Sequence, residues 1–221
     1  MSALVPDYDS DPARRRAWVA PRDVHDAVGP ELRGPVLDIG CGEGRLVPRL
    51  GRGVAWVGVD SSTEQTARCP WRPLVLADMR CLPFSDNSFA EVVHLWCLYH
   101  LDDPLAAVRE AWRVLRTGGR YFACTAARDN DPELVPEGYA ATTFDAEEAV
   151  EIVASVFPNP RPDRWDERFF PLQTRDEVRA YCRHNFVPER RAETVGVPLW
   201  LTKRGVLVRA TKLATESLPT P

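Results

Sequence analysis

Three aspartates stand at regular intervals in this chain: Asp38, Asp60 and Asp78. Asp60 and Asp78 each follow a short apolar run, and Asp38 falls one residue before the end of another. After Ile39 come Gly40, Cys41, Gly42, Glu43 and Gly44, so three glycines alternate directly after a buried-looking strand. Glycine reaches positive φ without penalty and lets a ligand approach the main chain. An acid at the mouth of such a turn suits a ligand that carries a cationic amino acid group. Asp60 lies about twenty residues beyond the turn, the distance at which a strand-end acid accepts from both ribose hydroxyls. Asp78 and Met79 can read an adenine, the carboxylate accepting from the exocyclic amine and the next backbone amide donating to the ring.

Something must present those acids together. Apolar runs at Val36–Ile39, Val54–Val59, Pro73–Ala77, Glu91–Leu95 and Arg120–Thr125 read as strands. Continuous apolar runs are typical of strands buried on both faces. Arg45–Leu50 reads as a short helix leaving the glycine turn, and Ser61 or Ser62 is placed to cap another. Pro104–Arg116 is the clearest helix, with Leu105, Val108, Ala111, Trp112 and Leu115 on one face and Gly118-Gly119 as its stop. Strands that alternate with helices predict a parallel α/β sheet. In such sheets ligands sit beyond the carboxyl ends of the strands, where all three aspartates fall.

The later chain differs. Residues 126–200 are rich in proline, with helices expected at 147–156 and 175–184 and strands at 164–170 and 206–210. We expect three parts: a helical lead-in or lid over 1–34, a cofactor-binding core over 35–125, and a specificity region over 126–221 that adds the last strands.

Composition removes several classes. The chain has 221 residues, 44% of them hydrophobic and 27% charged, as in ordinary globular proteins. No apolar run approaches the roughly 18 residues that would suggest a membrane span, and residues 1–16 lack the apolar stretch of an export signal; a cytoplasmic location is expected. Net charge is −4, with Arg14-Arg15-Arg16 and Arg190-Arg191 the clear basic clusters. A nucleic-acid footprint is usually more strongly basic. The six cysteines contain no Cys-x-x-Cys pair and are expected to be buried free thiols. His94, Cys97 and His100 have metal-like spacing but no fourth ligand is apparent, so no metal is expected.

The glycine spacing decides between two nucleotide-type ligands. The dinucleotide fingerprint, Gly-x-Gly-x-x-Gly/Ala, would put a small residue at position 45, and this chain has Arg45. Asp60 fits either NAD or S-adenosylmethionine (SAM); Asp78-Met79 favours SAM.

With Val36–Gly44, Val59-Asp60, Ala77–Met79, Leu82–Phe89, Leu98–Leu101 and Glu110–Gly119 in view, the chain resembles the class I SAM-dependent methyltransferases, in the small-molecule group called methyltransferase-11. The likeness covers about residues 35–125. It implies a Rossmann-like seven-stranded, mostly parallel sheet with helices on both faces, a helical insertion late in the chain, and an antiparallel last strand that Val206–Ala210 would supply. By position, Asp38 with Gly40, Cys41 and Gly42 would hold the methionine end of SAM. Asp60 and Ser61 would hold the ribose, Asp78 and Met79 the adenine, and His94 would face the sulfonium through its backbone carbonyl. One departure is Phe89-Ala90 where similar sequences have Phe-Asp; either Glu91 stands in or the aspartate is dispensable.

The implied activity is methyl transfer to a small-molecule acceptor, on oxygen or nitrogen ahead of carbon. His100 is the candidate base, and His94, Trp96 and Tyr99 are its neighbours near the methyl. Tyr8 and Trp18 are candidates for a lid; Trp165, Phe169, Phe170, Tyr181 and Trp200 are candidates for an acceptor pocket. Two alternatives stay open: a SAM-binding protein that transfers no methyl, and a methyltransferase acting on RNA. Against base methylation, Leu95-Trp96-Cys97-Leu98 stands where an Asn/Asp-Pro-Pro-Tyr/Phe element would be. A cysteine nucleophile at Cys97 would point to pyrimidine carbon chemistry, without supporting context.

Overall fold

The computed structural model describes residues 23–135, 142–185 and 187–214. Tyr8 and Trp18 lie outside the described residues, as do the side chains of Phe169 and Phe170.

Seven strands form one sheet: β1 (Val36–Ile39), β2 (Trp56–Asp60), β3 (Leu74–Leu76), β4 (Phe89–Leu95), β5 (Leu115–Ala126), β6 (Arg161–Leu172) and β7 (Leu199–Thr211). Their order is β3-β2-β1-β4-β5-β7-β6. Pairings β1–β2, β1–β4, β2–β3 and β4–β5 are parallel, and β7 runs antiparallel to β5. This is the expected α/β sheet. The chain moves outward from β1 to β3, then crosses back to place β4 on the other side of β1. The carboxyl ends of β1 and β4 thus flank the switch point where open α/β sheets bind ligands.

Five α-helices are described: α1 (Val24–Val28), α2 (Thr63–Arg68), α3 (Pro104–Val114), α4 (Ala149–Ala154) and α5 (Arg175–His184). The chain divides into two compact units. One gathers Val24–Ala127, Thr142–Arg164 and the described part of Gly205–Pro221; the other gathers Trp165–Arg204 with residues 128–135.

In the first unit, Leu37, Ile39, Val92, Tyr121 and Ala123 share one sheet face by the period-2 alternation of strands. They pack with Ala107, Val108, Ala111 and Val114 of α3 and with Ala149 and Val153 of α4. Asp103 caps α3, its side chain accepting from the Leu105 amide at 3.1 Å, with Pro104 in the first turn. The loop before β4 is tied to this helix. Glu110 accepts from the Leu82 amide at 2.8 Å, while Arg113 donates to the carbonyls of Phe84 and Leu82 at 2.7 and 3.0 Å. That lattice is the physical reason Leu82–Phe89 and Glu110–Gly119 travel together as motifs.

Two expectations are corrected. Arg45–Leu50 is a set of turns with a 3-10 segment at Val47–Arg49, not an α-helix; Pro48 has no amide to donate, and Gly51 follows closely. Gly118-Gly119 does not cap α3. The helix ends at Val114, and both glycines lie in the first part of β5, across a register shift against β4. Gly118 has φ +76°, and its amide donates to the Lys212 carbonyl at 2.7 Å.

Glu91, beside the Phe89-Ala90 departure, anchors the chain just before β1. Its buried carboxylate accepts from the Arg33 and Gly34 amides at 2.7 and 3.1 Å, just before β1, and pairs with Arg120. Glu91→Ala would leave two backbone donors and a guanidinium without their acceptor. We expect a loss of about 2–4 kcal/mol in urea unfolding, since removing one partner of a buried, hydrogen-bonded charge is costly.

The second unit has its own core of Leu134, Leu172, Val178, Tyr181, Cys182 and Leu201. A capping box, Thr174 with Glu177, starts α5. Asp131 accepts from the Tyr181 hydroxyl and from Lys203 Nζ, both at 2.6 Å. Tyr181 is therefore committed to this core, whereas Trp165 is half-buried and Trp200 is 40% exposed beneath the Arg168 guanidinium.

Candidate cofactor site

Every residue of the glycine corner and its acids lies in the first unit. β1 is wholly buried, Asp38 included, at 3% exposure. An ionised carboxylate so placed needs partners. Trp56 Nε1, from the neighbouring strand, donates to Asp38 Oδ2 at 3.1 Å. One hydrogen bond does not offset the loss of water. Burial raises the Asp38 pKa from 3.8 to about 6, against the Trp56 hydrogen bond and the charge of His25 in α1, and with Asp60 adding to the rise. The result is an acid whose ionised form lacks a full counter-charge, at the position where a cationic group is expected.

Beyond β1 the backbone bends through Gly40, Gly42 and Gly44, with φ of +69°, +52° and +75°. Gly40 is tightly enclosed: a Cβ there would lie 2.5 Å from Cys97 Cβ, and Met79 Cε is within 3.8 Å of it. Gly42 is open on its side-chain position, where the nearest atom would be Gln65 Oε1 at 3.5 Å. The corner therefore exposes main chain to a ligand at Gly42 and packs against the protein at Gly40.

Asp60 closes β2 and is pinned from both sides. Oδ2 accepts from the Gly42 amide at 2.8 Å, and Oδ1 from the Ser62 amide at 2.9 Å. Each oxygen keeps a second lone pair, so the carboxylate is oriented yet still able to accept. Ser62 caps α2, accepting from the Gln65 amide at 3.2 Å. Ser61 is exposed between the acid and the cap.

Asp78 is differently placed. Its carboxylate is exposed and takes a two-pronged contact from Arg80, Nε to Oδ1 at 3.0 Å and Nη2 to Oδ2 at 2.6 Å. Those hydrogen bonds hold its pKa below the usual carboxylate value. The exposed pair is a weak tie.

The end of β4 turns sharply at Trp96, which has φ +62°, and its amide donates to the Cys124 carbonyl at 3.2 Å. A bulky residue in that region is strained, and such strain clusters at functional sites. Cys97 follows, buried, with its thiol donating to the Ile39 carbonyl at 3.3 Å. Burial and the charges of Asp38 and Asp60 push its pKa well up. A protonated, buried thiol is a poor nucleophile, so a cysteine-attack chemistry finds no support here. Cys41 is buried and its pKa is raised by the same causes.

The two histidines separate. His94 is fully buried on the core face of the sheet, its Nδ1 3.0 Å from the Tyr121 hydroxyl, and Tyr121 stacks on Phe157 at 4.6 Å. Burial lowers its pKa to about 3. By alternation its side chain lies on the face opposite Asp38, because Ile39 pairs with His94 and Asp38 with Val93. Only its main chain is left to meet a ligand at the strand ends. His100 is exposed, ends the 3-10 turn Leu98–His100, and rests against Tyr99 with ring centroids 4.5 Å apart. Partial desolvation of the ring lowers its pKa, while Asp60 pulls the other way.

The structure thus gathers Asp38, Gly40, Cys41, Gly42, Asp60, Met79 and Cys97 at the carboxyl ends of β1, β2 and β4. Trp56 and His25, which bear on Asp38, carry no sequence signal of that role; only the parallel β1–β2 register brings the indole to the acid. Among the described residues, no group of three or more His, Cys, Asp or Glu side chains is placed to hold a metal ion, and no helix is long and apolar enough to cross a membrane. A polar cleft of about 710 Å3 lies near Glu31, Arg33, Glu91, Arg116 and Arg120. It opens at the amino ends of β1 and β4, and Arg120 is already engaged by Glu91 and the Glu31 carbonyl.

Comparison with known proteins agrees with this geometry. Residues 37–123 match the family described as Methyltransferase domain. The demethylmenaquinone methyltransferase of Roseiflexus castenholzii is 36% identical over 115 residues, which is 48% of this chain and 48% of that protein. The chain therefore spans about half the length of this curated relative. Among solved structures, the N-methyltransferase NodS of Bradyrhizobium japonicum, in complex with S-adenosyl-L-homocysteine, superposes with a TM-score of 0.55 at 16% identity, covering 92% of this chain and 89% of NodS. The [4+2]-cyclase SpnF does so with a TM-score of 0.58 at 20% identity, covering 86% of this chain and 80% of SpnF. At these identities the two structures speak for the fold. The match over 37–123, with the sheet order and glycine corner described above, identifies that stretch as a methyltransferase domain of the SAM-dependent class I fold.

Proposed function

We propose that this protein transfers the methyl group of SAM to an oxygen or nitrogen atom of a small-molecule acceptor. The observation that carries the reading is the pair of carboxylates at the switch point: Asp38, buried and short of counter-charge, and Asp60, pinned by the Gly42 and Ser62 amides. The site fits a ligand with a cationic end and a neutral diol. Asp38 holds the ammonium, with the Gly40–Gly42 main chain and Cys41 beside it. Asp60, next to Ser61, accepts from the ribose hydroxyls. Asp78 and Met79 serve the adenine, Asp78 exchanging its exposed contact with Arg80 for the base. His94 contributes its main-chain carbonyl at the sulfonium.

SAM supplies a methyl group already activated on a positive sulfur. What remains for the protein is to fix the acceptor in line with the transferred carbon, which can account for most of the acceleration. His100 is the base: it is exposed, and its lowered pKa keeps it neutral and able to accept a proton at pH 7. The net charge of −4 favours a small-molecule acceptor over a nucleic acid.

Two measurements test this. Asp60→Ala should weaken S-adenosylhomocysteine binding by at least about tenfold, the loss of roughly one charge-assisted hydrogen bond; unchanged affinity in a folded variant rejects the ribose assignment. Incubation with methyl-labelled SAM and a panel of small hydroxyl and amine compounds, beside bulk RNA, should place label in a small molecule. Label in RNA, or tight cofactor binding with no transfer at all, would favour the two rival readings instead.

A further inference from the structure

Gln65 is the third residue of α2, and its backbone amide is spent on the Ser62 cap. Its side chain is only 5% exposed, and its Nε2 has no hydrogen-bond partner among the described residues. A buried amide donor left unpaired is costly and is rare enough in folded proteins to need a reason. The location supplies one. The carboxamide oxygen lies 3.5 Å from where a Cβ on Gly42 would sit, beside the one glycine of the corner that is open. The Gly42 amide in turn holds Asp60. The amide can present either its oxygen or its nitrogen at this spot by a half-turn of its terminal torsion.

The geometry points to Gln65 as a ligand-contacting residue that donates to a ribose hydroxyl oxygen of the nucleoside held by Asp60. This rests on the SAM reading above and adds a donor to it. Charge chooses the ribose over the amino acid carboxylate. Asp38 and Asp60 both bear on this corner, each raising the Cys41 thiol pKa, so a second anion would be repelled there. A hydroxyl is neutral and both donates and accepts. Asp60 can only accept, so a diol in its grip keeps oxygen lone pairs for which Gln65 Nε2 is a suitable donor.

The test is a calorimetric series on the full chain with S-adenosylhomocysteine and 5′-methylthioadenosine, which has the same ribose and base but no amino acid. Gln65→Met keeps the volume and removes the donor. It should weaken both ligands by a similar factor, about fivefold for one neutral hydrogen bond, while the unliganded protein melts at the same temperature or higher. Wild-type binding of S-adenosylhomocysteine in the same series tests the underlying reading separately; if the wild type does not bind it, that reading and this inference fall together. With wild-type binding intact, undiminished affinity of Gln65→Met for both ligands overturns the inference alone. So does a loss confined to the amino-acid-bearing ligand. A variant that melts lower and binds less is resolved with the 2′-deoxy and 3′-deoxy forms of 5′-methylthioadenosine: if the wild type's advantage over Gln65→Met vanishes for one of them, the donor role stands, and an undiminished advantage for both overturns it.

Discussion

Asp38→Asn should make the unliganded protein more stable and nearly abolish cofactor binding. Both effects come from one burial. The Asp38 pKa is raised from 3.8 to about 6, so the folded state binds this proton more tightly than the unfolded state. The stabilisation from that proton is fully present below about pH 4 and is lost as pH rises through about 6. The corresponding cost at neutral pH is of order 3 kcal/mol, taking 1.36 kcal/mol per pKa unit. Asparagine is neutral throughout and keeps an oxygen for the Trp56 indole. We therefore expect a gain of about 1–3 kcal/mol at pH 7.5, a rise of several degrees in Tm, and no gain at pH 4. The same change removes the charge proposed to pair with the ammonium of SAM. Truncating one partner of a buried charge pair costs about 2–5 kcal/mol, so affinity should fall by at least about thirtyfold. In the wild type, affinity should weaken about tenfold per pH unit below pH 6, because the acid must lose its proton to pair with the cation. Thermal melts and calorimetry at several pH values read all of this. A destabilised Asp38→Asn that still binds S-adenosylhomocysteine would reject the assignment.

Gly40→Ala should be among the most damaging single-methyl additions in the chain. The backbone there has φ +69°, which costs a non-glycine residue about 1–2 kcal/mol. The added methyl would also meet Cys97 Cβ at 2.5 Å and Sγ at 2.8 Å. Overpacking of a close-packed site adds about 1–3 kcal/mol. A total of about 2–5 kcal/mol is expected, read as a fall of roughly 4–20 °C in Tm. Combining it with Cys97→Gly should recover part of the loss, with a coupling of about 1 kcal/mol or more, because the steric term depends on Cys97 and the backbone term does not. Strictly additive losses would show that Cys97 does not restrict this corner. The contact explains why the turn and the segment after β4 are specified together: they share one small volume.

Much of this was legible in the chain. Strands buried on both faces leave apolar runs, so β1, β2, β4 and β5 stand out. Acids that interrupt or end those runs are conspicuous because burying them is costly. The α5 helix was expected at 175–184 and spans Arg175–His184. Other features escaped for definite reasons. The Trp56–Asp38 bond depends on parallel register between β1 and β2, and register is a tertiary property. His94 and Asp38 sit on opposite faces of the sheet, which follows only once β4 is known to lie beside β1. Gly118 looks like a helix stop, yet the chain had already left α3 and needed positive φ to reach the Lys212 carbonyl. Gln65 looks like an ordinary helix-face amide until the helix is seated against Gly42.

The central claim is that the acids at the ends of β1 and β2 hold a sulfonium nucleoside. Calorimetric titration of the full chain at pH 7.5 with S-adenosylhomocysteine and, separately, with NAD tests it most directly. The account predicts saturable binding of S-adenosylhomocysteine and none of NAD in the same range. Binding of NAD with no response to S-adenosylhomocysteine would contradict it.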